Sequence, residues 1–290
     1  MKGMRWRDER GQVLVLIMLA LVAIIGMVAL AIDGGNAYVQ RRRMQYAADA
    51  AAMAGGRALA LGYGTSAIES AVQQYATTNG ADSYSWYLVD SDTVHVEVSH
   101  SFSTFFAPVV GINQMTAQAT AEASVSGVSR TGNLLPIASE IFSYQYGQVY
   151  NLWTKEEHPE IPGNFGWLDW NGGSRGTPEL ANNICNPSNS GEWQVGWWVW
   201  GGPGVRNSSS VRNCLNKWIG QPVTIVLYDS ATGMGANAKY HIAAFGEFIL
   251  TGYNLSGMDK YIQGRFERYV VAGEGGGPAY GLNTVVLGAN

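Results

Sequence analysis

The chain has 290 residues, enough for one or two folded units at ~150 residues each, and its 47% hydrophobic content excludes a largely disordered polymer. Only 14% of residues are Asp, Glu, Lys or Arg, well under the ~25% of an average soluble protein, while glycines number 37 and tryptophans 10. Few charges and many aromatics suit an exported chain. A net charge of −4, with no basic block beyond the first fifth of the sequence, excludes an electrostatic nucleic-acid footprint.

Val13 to Ile32 is a run of twenty residues with no charge and no strongly polar side chain. At 1.5 Å per residue it spans ~30 Å as a helix, the thickness of a bilayer's hydrocarbon. Lys2, Arg5, Arg7 and Arg10 precede it with Trp6, and Asp33 and Tyr38 follow, so the aromatics sit where interfacial belts do. Residues 1–12 read as a cytoplasmic N-terminus and 13–32 as a transmembrane helix. Arg41, Arg42 and Arg43 weaken the charge bias, which leans only slightly to an inside N-terminus. Cys185 and Cys214, the only cysteines, read most simply as one extracytoplasmic disulfide; two reduced, buried thiols are the alternative. Ala29-Leu30-Ala31 resembles a signal-peptide cut, but the apolar run exceeds the usual ~7 to 15 residues of such segments.

Helix-compatible composition continues from Asn36 to Ala60. A stripe of small residues recurs at Ala37, Met44, Ala48, Ala51, Gly55 and Ala58, at spacings of seven, four, three, four and three. Such a stripe lets another backbone approach closely, which suits packing on a sheet or helix, or self-association through that face. A plain alanine-rich helix is the alternative.

Arg10-Gly11-Gln12 before the apolar run, Ala31-Ile32-Asp33-Gly34-Gly35-Asn36-Ala37-Tyr38 at its end, and Arg41-Arg42-Arg43-Met44-Gln45-Tyr46-Ala47-Ala48-Asp49-Ala50-Ala51 beyond it resemble the anchor module of the Flp pilus-assembly TadE/TadG-like family. Gly11, Asp33, Gly34, Tyr38, Ala48, Asp49 and Ala50 carry the motif. The resemblance implies a single-pass protein with an external C-terminal body that works with other pilus or Tad secretion components. Pilin-like relatives processed by a prepilin peptidase typically carry Glu at the fifth position after the cleaved glycine, where Leu16 follows Gly11 here, so an uncleaved anchor is expected.

Residues 33–129 read as that anchor's helix plus a small α+β unit. Ser66 to Thr78 is expected as a helix opened by a capping box of Ser66 and Glu69. Tyr84 to Val89 and Thr93 to Phe102 flank the turn Asp90-Ser91-Asp92 as a β-hairpin. A short helical piece near Thr104 to Val110 leads to Met115 to Val128, where alanines alternate with polar residues at the period of a strand. His95 and His100, five apart on one strand, face opposite ways and share no metal.

Gly127 to Asn133 is the linker candidate, and residues 130–290 read as a Trp/Gly-rich, mainly antiparallel all-β domain, a sandwich or barrel-like body. Its expected strands are Gln148 to Trp153, Trp193 to Trp200, Val223 to Tyr228, Tyr240 to Leu250 and Phe266 to Ala272. The fold class is therefore α+β overall. The Asn/Ser/Gly-rich segment between the cysteines looks like a weakly packed loop in need of a covalent staple. Eight tryptophans fall within 66 residues of this domain. Trp167, Trp170, Trp198 and Trp200, with Asp169 and Asn171 nearby, form a candidate ligand surface for sugars, although tryptophans in β domains more often fill the core.

No catalytic constellation is readable. His95, His100, His158 and His241 lack metal-ligand spacing, Glu156 to Glu160 reads as a solvated loop, and the glycines at 273–277 lack the Lys-Ser/Thr of a phosphate loop. Ser208-Ser209-Ser210 has no base that spacing identifies. No cofactor, metal or enzymatic activity is expected. The reading is a membrane-anchored structural or assembly protein of a Tad/Flp-type pilus, with a membrane-anchored adhesin or glycan-binding module as the alternative.

Overall fold

The computed structural model describes residues 10–153, 164–172, 176–204, 206–257 and 259–288. The basic residues before Arg10, Trp6, and the Glu156 to Glu160 patch with His158 lie outside the described residues.

Helix α1 runs unbroken over 51 residues, Arg10–Ala60, about 75 Å at 1.5 Å per residue. From Val13 to Ile32 its side chains are exposed apart from half-buried Ala29, and this is the one described helix long and apolar enough to cross a membrane. Ala29 to Ala31, the stretch that resembles a signal-peptide cut, lies within the unbroken helix. It stops where Gly62 takes a positive φ of 73°. There the Tyr63 N–H donates to Ala58 O at 3.0 Å and the Gly62 N–H to Leu59 O at 2.8 Å, the paired bonds of a Schellman cap.

Helix α2 spans Thr65–Thr78 and buries Ile68, Val72 and Ala76, spaced four apart, against α1. The expected capping box does not form. Gly64 is the N-cap without a side-chain bond, and the helix starts one residue before Ser66. Glu69 turns instead to the sheet, accepting from the Tyr84 hydroxyl at 2.7 Å and from Trp86 Nε1.

Strands β1 (Ser83–Leu88), β2 (Thr93–Ser103) and β3 (Gln114–Gly127) form an antiparallel meander. The β1–β2 turn is closed by the Asp92 N–H on Asp90 Oδ1 at 2.8 Å, as an Asx turn does. One face carries Val94, Val96, Val98, Ala117, Ala119, Ala121 and Ala123, all buried beneath α1 and α2. The period-two pattern legible in the sequence is this contact. His95 lies on the opposite face beside Glu122, and His100 sits 3.0 Å from Asp82 without hydrogen-bond alignment.

Beyond β3 come β4 (Arg130–Gly132), β5 (Leu134–Glu140), β6 (Val149–Leu152), β7 (Asn164–Asp169), β8 (Glu192–Gln194), β9 (Trp198–Pro203), β10 (Pro222–Thr232), β11 (Lys239–Asn254), β12 (Tyr261–Glu267), β13 (Tyr269–Val270) and β14 (Leu282–Leu287). Strand β10 pairs with both β5 and β11, and β5–β7–β9–β11 completes a closed ring, extended from β11 by β12 and β6. Closure removes two sheet edges. The Trp193 to Trp200 run is two strands rather than one, because Gly196, at φ 89°, turns the chain between β8 and β9.

The distal body is sheet-rich and largely antiparallel, and it also carries two short helices absent from the sequence reading. These are α3 (Thr177–Cys185) and α4 (Ser209–Asn216). Leu180, Ile184, Val211 and Leu215 pack from them into one buried cluster with Ile225, Leu227 and Phe248. Ser208 caps α4, its Oγ accepting from the Val211 N–H at 3.2 Å. Cys185 and Cys214 are bonded at a Cα separation of 4.8 Å and a sequence separation of 29, which closes a loop worth ~3–4 kcal/mol in the chain-entropy model. The enclosed segment is not a slack loop, since it contributes β8 and β9 to two sheets.

The sheet under α1 has the order β1-β2-β3-β14-β13, so two of its strands come from far beyond residue 129. Strand β14 pairs antiparallel with β3 from Asn283↔Gly127 to Leu287↔Ala123. The distal body is thus inserted after β3 and ahead of β13 and β14, the two strands that complete the proximal sheet. The expected linker is structured: β4 pairs with β8, and Gly127 lies against Gly277 and Pro278, where a Cβ would fall 1.9 Å from the Pro278 carbonyl oxygen.

Candidate functional site at the foot of the long helix

Asp33, the first charge after the apolar run, is buried. Its carboxylate accepts the N–H groups of Phe105 at 2.7 Å, Phe106 at 2.9 Å and Ala107 at 2.7 Å. These successive amides line the start of the short 3₁₀ helix Ala107–Val110, and successive N–H groups aimed at one point make an anion nest. The Phe105 amide is the largest influence, and with its two neighbours it holds the Asp33 carboxyl below its ordinary 3.8 against an opposing push from burial. The loop is closed behind them by the Thr104 hydroxyl on Ile112 O at 2.5 Å and the Thr104 N–H on Asn113 O at 3.2 Å. Asp33, read from the sequence as a flank of the apolar run and a residue of the motif, therefore clamps the β2–β3 tip to α1.

The other motif residues divide by what they touch. Gly11 is the second residue of α1. Gly34 stands open, a Cβ there meeting nothing within 4 Å, and Tyr38 is exposed. Ala48 is fully buried under the sheet. Asp49 accepts from Gln45 Nε2 at 2.8 Å, and the same amide donates to the Thr120 carbonyl at 3.1 Å, so Asp49 orients the side chain that ties α1 to β3. Ala50 lines a groove with Met53, Arg57, Tyr75, Val270 and Val285.

The small-residue stripe is consumed within the chain. Met44, Ala48, Ala51, Gly55 and Ala58 are covered by α2 and the sheet, which corrects the expectation that this face is open for self-association. A Cβ on Gly55 would stand 2.9 Å from Val72 Cγ2, and one on Gly56 2.7 Å from Val285 Cγ1. Asn283 of β14 donates to Ala60 O at 3.0 Å, satisfying a carbonyl in the last turn of α1. The Gln45 bridge, the amides at 105–107 and Asn283 escaped the sequence reading. Of these, only the Phe105-Phe106-Ala107-Pro108 stretch carried a signal, four apolar residues in a turn.

The aromatic ligand surface does not assemble. Trp167 and Trp170 are buried, Trp167 edge-on to Trp153 at 4.8 Å, because β7 has both faces covered. Asp169 accepts from the Asn171 and Gly172 amides at 3.2 and 3.1 Å, a turn role. Trp198 and Trp200 do share an outer face of β9, opposite His241 and Lys239 of β11. Lys239 Nζ lies 4.0 Å over the Trp200 ring, and His241, 5.2 Å from the Trp198 ring, bonds to Asp229 at 2.7 Å. A cross-strand neighbour thus packs against each of these indoles, and Trp198 remains exposed. Among the described residues, no group of three or more His, Cys, Asp or Glu side chains converges as a metal site would.

No curated protein and no solved structure matches the chain. Residues 11–58, from the second residue of α1 to two residues before its end, match the family model of putative Flp pilus-assembly TadE/G-like proteins, so the likeness is confined to the long helix.

Proposed function

We propose that this chain is a single-pass, membrane-anchored structural or assembly protein of a Tad/Flp-type pilus or a related envelope apparatus, with residues 13–32 in the bilayer and the sheet-rich body outside. The carrying observation is the coincidence of the family match with a helix built in two parts, a bare apolar half and a half locked onto its own sheet. The disulfide supports an oxidising location for the body. Its role is to hold a rigid external body at a set height above the membrane for contact with pilus components. No chemistry is assigned to it. The glycan-binding alternative is weakened by the burial of Trp167 and Trp170.

Deletion of the chain, followed by shearing of surface filaments and quantitative mass spectrometry of sheared and membrane fractions, tests this reading. The expected result is loss of filaments in the deletion strain and recovery of the chain with the membrane or the filaments of the parent. Normal piliation without the chain would overturn it.

A further inference from the structure

The tip of the β2–β3 hairpin carries exposed apolar side chains with nothing among the described residues to cover them. Val109 is 90% exposed, Val110 76% and Phe105 68%, with Phe106, Ile112 and Met115 also open. From Ser103 to Gln114 there is no charged residue. An apolar patch of this kind in water is costly and marks an interaction surface.

Its position identifies the occupant. Contacts descend in parallel along α1 and the hairpin: Gly56 meets Ala123, Gln45 bonds Thr120, and Asp33 bonds Phe105. The nine strand steps from Ala123 to Gln114 cover ~30 Å and the helix steps from Gly56 to Asp33 ~35 Å, so the tip ends level with Asp33. Immediately below Asp33 the helix surface is wholly apolar and, apart from half-buried Ala29, bare. The patch is therefore continuous with the surface of α1 that suits lipid. The Asp33 clamp holds it there and at the same time engages the charge of that carboxylate with three converging main-chain amides.

We propose that the tip, Phe105 to Ile112, is a second membrane contact, its Phe105, Phe106, Val109 and Val110 side chains entering the interfacial layer of the leaflet from which α1 emerges. Apolar surface of this kind settles at the headgroup–acyl boundary. The inference rests on the reading of residues 13–32 as a membrane span. With two footings, the external body is fixed in tilt as well as in height.

Site-directed spin labelling of the full chain in vesicles of phosphatidylethanolamine and phosphatidylglycerol tests it, since Cys185 and Cys214 are bonded and an introduced cysteine is the sole free thiol. Labels are placed at Val109→Cys, at Val22→Cys within the apolar run, and at Ser91→Cys in the turn at the opposite end of the hairpin. The expected result is oxygen accessibility above that of a water-soluble nickel chelate at positions 22 and 109, and the reverse at 91. Position 109 behaving like 91 while 22 remains in lipid would overturn the second contact and leave the anchor standing. A label at 109 shielded from both reagents would overturn it in favour of a protein cover, such as a second copy. If position 22 also follows 91, the anchor reading and the second contact fall together.

Discussion

The two halves of α1 share one backbone geometry, yet their side chains are chosen on opposite principles. Below Asp33, Leu, Ile, Val and Met project on every side and stay exposed. Above it, Ala and Gly face the sheet and the polar residues Tyr38, Arg41, Arg42, Tyr46 and Arg57 are confined to the other side. The difference lies in the partner. Fluid lipid conforms to any apolar shape, so bulk is welcome and adds buried area. A folded sheet does not yield, so the helix must be stripped to its backbone for close approach.

That contrast can be broken at either half. Ile24→Arg places a charge near the middle of the apolar run and is expected to cost about 3 kcal/mol of membrane insertion, read as a fall in the carbonate-resistant fraction; retention of parental insertion would deny lipid as the partner. Gly56→Leu drives a side chain into Val285 and Ala123 and is expected to lose about 2–3 kcal/mol in urea unfolding of the full chain in nanodiscs. An unchanged midpoint would mean the sheet yields after all.

The joint between the halves is tested by Asp33→Asn, which keeps the size but presents an amide where three N–H donors converge. Exchange protection of the Phe105, Phe106 and Ala107 amides is expected to fall about tenfold. Because the folded carboxyl lies below its ordinary 3.8, its contribution is complete above that value and disappears as pH falls through the lower, folded-state value. The parent should therefore lose protection at these amides on acidification, and the variant should show no such step. The smallest effect is expected at Gly34→Ala. With open space around that Cβ, helix propensity alone should raise stability by up to ~1 kcal/mol; a marked loss of piliation in the stable variant would show that this open glycine serves a partner.

What was legible in the sequence was local. Twenty apolar residues, the alternation in β2 and β3, and the Asp90–Asp92 turn each write their period into neighbouring positions. The cysteine pairing followed from there being two. Partnerships made at a distance left no such trace. Asp33 is satisfied by main-chain amides 72 to 74 residues away, which no side-chain pattern announces. Strand β14 reads as an ordinary apolar run, and nothing in it names β3 as its neighbour. Trp167 in β7 and Trp170 just beyond it went to the core because that strand is covered on both sides, a fact of topology rather than composition. The helices α3 and α4 were obscured by Asn and Ser, although Leu180 and Ile184 stand four apart.

The return of β14 beside β3 bears on how load travels through the molecule. A body joined by one covalent strand swivels about that strand and transmits tension but no torque. Here the chain leaves the proximal sheet at Gly127, rejoins its far edge at Tyr269 and comes back beside β3 at Leu282, so the outgoing and returning strands are hydrogen-bonded side by side. Antiparallel neighbours pulled from the same end are unzipped bond by bond, whereas a sideways push is resisted by both at once. A filament or partner straining against the distal body would therefore meet a stiff lever in bending, with its weakest response along the axis at the pairing of Asn283 with Gly127.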